Sequence, residues 1–156
     1  MKLGSAVEGL AEAELALADD FRKLGELHPA DHDVFHQCRT FSELCDRHAE
    51  KIAPLAESYG GRIRAADLTF WSGLSEKVRG RAASDSGLEL LRDLRTLYLA
   101  AEEVSITWVM AGQAAQALRD QDLLAIVREC HVETELQVKW LTTRIKVGSP
   151  QALVVG

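Results

Sequence analysis

The chain has 156 residues, 24 acidic against 18 basic, a net charge of −6, and 47% hydrophobic residues of which few are aromatic. That length makes one domain the default and buries roughly 68–70% of the unfolded surface, so folding requires neither a disulfide nor a metal. The basic residues are scattered, which excludes the positive stripe that a nucleic-acid partner needs, and no run approaches the ~20 apolar residues that span a bilayer.

The opening MKLGSAVEGLAEAEL carries acidic residues where a secretory signal is apolar. Cys38, Cys45 and Cys130 make an odd count without a CxxC pair, which suits a reduced, cytoplasmic chain. Ser5-Ala-Val-Glu8 reads as a capping box. It opens a first helix over about residues 5–28, striped by Val7, Leu10, Glu14, Leu17, Phe21, Leu24 and His28 and stopped by Pro29. Asp31 or Asp33 caps a second helix over 31–59, which ends at Gly60-Gly61 and carries Pro54 inside its last turns. Its stripe is Phe41, Cys45, His48, Ile52 and Leu55.

Residues 60–85 read as a long crossover, with one short apolar piece, Leu68 to Val78, that includes Trp71. A third helix spans 86–119, with Leu90, Leu94, Leu97, Ala101, Val104, Trp108 and Ala115 on its apolar face. Asp120 or Asp122 caps a fourth over 121–147, carrying Leu124, Val127, His131, Thr134, Val138, Leu141 and Ile145 before Gly148 and Pro150 end it. The tail SPQALVVG is expected to pack back on the bundle and to be too short for a helix of its own. No stretch alternates as a strand would. The expectation is an all-α, single-domain four-helix bundle with a long crossover between helices two and three.

Polar residues interrupt the stripes: Glu14 on the first helix, His48 on the second, His131 on the fourth, and Glu102 one position off the third. If the crossover runs the length of the bundle, Glu14, His48 and His131 fall within about one turn of a common level at ~1.5 Å per residue, with Glu102 about two turns higher. A buried carboxylate is penalised by several kcal/mol unless paired or coordinating. Glu14 facing two imidazoles is satisfied either by imidazolium pairing or by sharing a divalent ion with them, a donor set suited to Zn, Fe or Mn. Cys45 and Cys130 are soft second-choice ligands that would favour Zn or copper(I), or else small buried hydrophobes. His28, His32 and His36, with Asp31 and Asp33, form a second histidine group at the other end, read as a solvated turn.

With its helix order, long crossover and mid-depth polar residues, the chain resembles the ferritin-like superfamily over residues 5–147. The resemblance implies a dinuclear iron or manganese site built from one Glu on each of two helices and Glu-x-x-His on each of the others. Glu14 matches the first-helix glutamate. Cys45-Asp46-Arg47-His48 and Arg128-Glu129-Cys130-His131 keep the histidines but carry Cys and Arg in the carboxylate positions, and the third-helix glutamate could only be Glu102 or Glu103. A bridged di-iron oxidase is therefore not expected. A reduced or lost metal site in a metal- or stress-handling protein is, with Glu14, His48 and His131 as first ligands and Glu102, Cys45 and Cys130 behind them. The alternative is an inert interaction bundle. In either case a homodimer is expected, closed by Trp71, Trp140 and the apolar tail.

Overall fold

The computed structural model describes residues 2–60 and 81–155. Most of the 60–85 connection lies outside these, including Trp71 and the apolar piece at 68–78. Four helices follow one another, α1 (Lys2–Leu27), α2 (His32–Ser58), α3 (Gly87–Leu118) and α4 (Gln121–Pro150), and no strand occurs among the described residues. The chain is an all-α four-helix bundle. Among the described residues, no helix is long and apolar enough to cross a membrane.

The starts of three helices are set by side-chain caps. Asp31 accepts from the Val34 amide, Ser86 from Glu89 and Asp120 from Leu123, each satisfying an amide that the first turn leaves free. Asp33 and Asp122 instead sit in the first turns they precede, where a carboxylate complements the positive helix end. Arg119, at φ 56°, turns the chain out of α3, and Gly60, at φ 77°, follows α2, a conformation that costs glycine least.

Both outer ends differ from expectation. α1 begins at Lys2, so the Ser5–Glu8 capping box lies inside the helix, extended by Leu3, which is buried in the core. Gly148 keeps a helical backbone, so α4 continues to Pro150 and runs on into a π-helical turn, Gln151–Val155. The tail is thus helical, and Leu153, Val154 and Val155 on it are exposed.

Cross-helix contacts fix the directions. Glu14 meets Trp108 and His28 meets Asp93, so α1 and α3 are antiparallel. Tyr59 meets Asp120, Lys51 meets Glu129 and Asp31 meets Arg144, so α2 and α4 are antiparallel too. α2 ends beside the start of α4, whereas Ser84, just before α3, donates its amide to the Leu27 carbonyl at the end of α1. The chain therefore leaves α2 at one end of the bundle and enters α3 at the other.

The core is continuous from Leu3 to Leu141, with Phe21, Trp108 and the leucines at 10, 17, 24, 94, 97, 123 and 141 among its largest fully buried side chains. α1 and α2 approach closely at Gly25, where an added Cβ would lie 3.3 Å from Cys38 Cβ; α3 and α4 do so at Gly112, 3.1 Å from Val127 Cγ1. Trp140 packs edge-on against Phe41, with ring centroids 5.6 Å apart. That contact makes it part of the core's edge, with the rest of the side chain only partly buried.

Candidate functional site

The opposed directions of α1 and α3 put Glu14 and Trp108 face to face in the middle of the core, both without solvent exposure. A buried indole N–H needs an acceptor, and Trp108 Nε1 donates to Glu14 Oε1 at 2.7 Å. His48, equally buried on α2, brings Nδ1 to 3.1 Å from the same oxygen. With the proton on Nδ1, His48 donates there and Glu14 Oε1 accepts twice. The imidazole also lies edge-on to the Trp108 ring, centroids 6.1 Å apart.

That arrangement turns the other imidazole nitrogen toward α4. His48 Nε2 is buried and makes no hydrogen bond; 3.5 Å away is Oε1 of Glu133, a side chain 32% exposed. Glu14 Oε2 is likewise buried without a hydrogen bond. His48 is thus held between two carboxylates, one in the core and one reaching the surface.

The two cysteines flank this pair and are inert as thiols. Burial first, and then the Glu14 charge, hold the Cys45 thiol well above its ordinary range. The same two causes push Cys130 up to about 12. Gln137, fully buried, donates Nε2 to the Phe41 carbonyl and to Cys45 Sγ, both at 3.3 Å, tying α4 to α2 one turn above. On the surface side, Lys51 bonds Glu129, which it holds below the usual carboxylate range.

Of the residues singled out in the sequence, Glu14 and His48 come together, with Cys45 and Cys130 close enough to feel the Glu14 charge. His131 does not join them. It lies on the α3 side of α4, where Nε2 is 3.3 Å from Ser105 Oγ and 3.6 Å from Glu135 Oε1. Glu102 accepts from the Tyr98 hydroxyl at 3.0 Å within its own helix. The residues that sequence reasoning missed are Trp108, read there as apolar, and Glu133. A signal existed for both. Trp108 was a core tryptophan needing an acceptor, and Cys130-x-x-Glu133 repeats the spacing of Cys45-x-x-His48. The second motif is therefore offset by two residues from the segment 128–131 that the resemblance selected.

The residues present do not fit a dinuclear carboxylate-bridged centre. Cys45 stands where the resemblance would put one carboxylate, Arg128 or, two residues on, Cys130 where it would put the other, an indole faces Glu14, and no group of three or more His, Cys, Asp or Glu side chains among the described residues is arranged to hold a metal ion. The free Nε2 of His48 with the carboxylate of Glu133 beside it is a pair of donors, fewer than such a group.

At the opposite end of α1 is a second buried polar group. His28 Nε2 lies 2.6 Å from Asp93 Oδ2, and Arg81 donates to both Asp93 oxygens at 2.9 and 3.1 Å. Burial raises the Asp93 pKa, but the hydrogen bonds from His28 and Arg81 outweigh it and leave Asp93 below its ordinary value. His28 is thereby taken out of the histidine group seen in the sequence, while His32 and His36 are exposed. The cluster reads as a clasp between the end of α1 and the start of α3.

No protein-family profile matches the chain, and no curated protein is similar to it.

Proposed function

We propose that the chain is a divergent ferritin-like bundle whose mid-depth site has contracted from two metal ions to one, held by His48 Nε2 and Glu133. The observation that carries this reading is the buried, unbonded Nε2 facing a carboxylate oxygen at 3.5 Å. Glu14 and Trp108 support it from behind. A carboxylate on one imidazole nitrogen fixes the tautomer and presents the other nitrogen as a ligand, the usual outer-shell arrangement of metal-bound histidines. One nitrogen and one oxygen donor suit Zn, Fe(II) or Mn, with the remaining positions left to water admitted on the part-exposed Glu133 side alone. A site this sparse is too poor in carboxylates for iron storage or bridged oxygen chemistry, so the role is the sensing or handling of a divalent metal. The three buried free cysteines accord with a cytoplasmic protein, and we take its working form to be a homodimer.

The test is zinc and manganese titration of protein purified without a histidine tag, alongside His48→Ala, Glu133→Gln and His131→Ala. One ion per chain, lost in the first two variants and kept in the third, is the expected result. No binding by the wild type would make the cluster a closed ion pair and the protein an inert interaction bundle.

A further inference from the structure

We propose that the outward face of α3 is a homodimer interface, on which a second copy of the chain lies antiparallel about a two-fold axis at Leu99. The inference is independent of the metal site and rests only on the homodimeric reading above. Seven residues at three- and four-residue steps share this face: Leu88, Arg92, Arg95, Leu99, Glu103, Ile106 and Met110, all exposed. Four of them are large hydrophobics, Leu99, Ile106 and Met110 being 51%, 56% and 64% exposed. Aligned along one helix they form a stripe, unlike Leu15, which stands alone on α1.

The charges say what covers the stripe. Arg95 and Glu103 flank Leu99 at four residues on either side, and neither makes an ion pair among the described residues. A face that meets its own copy across a two-fold axis must be self-complementary. With the axis at Leu99, residues equidistant from it oppose one another. Each Arg95 then meets the Glu103 of the other copy, Leu88 meets Met110, and Ile106 meets the aliphatic stem of Arg92. Centring the pair on Ile106 instead sets Glu103 against Val109 and Arg95 against Ala117, so the pairing of Arg95 with Glu103 is lost. Centring it on Arg95 stacks two arginines. The charge pattern thus selects both the partner and the register.

The experiment is sedimentation equilibrium of the wild type and of Arg95→Glu, Glu103→Arg, the double reversal, Leu99→Glu and, as a control, Leu15→Glu. Each charge reversal places like charges together twice, so each raises the dimer dissociation constant by about tenfold or more. The double reversal restores the wild-type value, Leu99→Glu abolishes the dimer, and Leu15→Glu leaves it unchanged. A wild type that stays monomeric up to about 500 µM, a concentration that would fill any site of even modest affinity, removes the homodimeric reading and this interface with it. A dimer indifferent to the α3 variants would leave the homodimer standing and overturn the interface alone. Restoration by the double reversal is the result that a merely destabilised fold could not give.

Discussion

Replacing Glu14 by Leu tests whether the mid-depth cluster is a coupled unit, because its carboxylate oxygen Oε1 serves two buried donors at once. Its removal strands the His48 imidazole and the Trp108 N–H in the core. A buried neutral donor left unsatisfied costs about 1–3 kcal/mol, and here there are two, the imidazole N–H and the indole N–H. Against a total stability of about 5–15 kcal/mol, Glu14→Leu should remove a large part of it. Adding His48→Leu removes one stranded group, and adding Trp108→Phe removes the other. Replacing a whole buried polar set by apolar side chains of similar volume is close to neutral. The triple variant should therefore lie within about 2 kcal/mol of wild type, the remainder being the volume lost at Trp108. Urea unfolding followed by circular dichroism reads each corner of the cycle, because the tryptophan signal changes across it. If the triple variant is less stable than Glu14→Leu by the sum of the separate costs, the residues act independently and the reading of a shared carboxylate is wrong.

Asp93→Asn leaves Arg81 and His28 bonded to a neutral, half-donating amide and should cost about 2–3 kcal/mol at neutral pH. Because the folded-state pKa of Asp93 is depressed, its stabilisation is present above the unfolded-state value and is lost as pH falls through the folded one. The gap between wild type and Asp93→Asn should thus close below about pH 4, as thermal melts across that range would show; a constant gap would exclude the clasp. None of the three cysteines should react with a thiol reagent at pH 8 in the folded protein, since burial raises all three thiols, Cys38 and Cys130 to about 12. All three should label in denaturant. Fast labelling of Cys45 or Cys130 in the native state would mean that the region around His48 is open to solvent.

The helices were legible because the apolar stripes and the capping residues agreed. Asp31, Ser86 and Asp120 stand one residue ahead of each helix that they cap. The ends at Lys2 and Pro150 were not, because a glycine or a proline in the last turn interrupts a helix only when the backbone there departs from helical angles, and Gly148 does not. Glu14 and His48 stood out as polar residues in the centre of an apolar stripe, and the structure buries both. His131 and Glu133 flank the Cys130–Thr134 stripe on opposite sides, and which of them meets α2 depends on how α4 is rotated. Periodicity carries no such information. The structure turns Glu133 toward α2 and His48, and His131 toward α3 and Ser105. The depth estimated for His131 was sound and its face was not.

The most direct test of a contracted single-ion site is anomalous diffraction from crystals of the tag-free protein grown with zinc. The account predicts one peak per chain, about 2.0–2.2 Å from His48 Nε2 and from a Glu133 oxygen, with Glu14 still bonded to Nδ1. A peak at His131 and Glu135, or none within reach of His48, would contradict it.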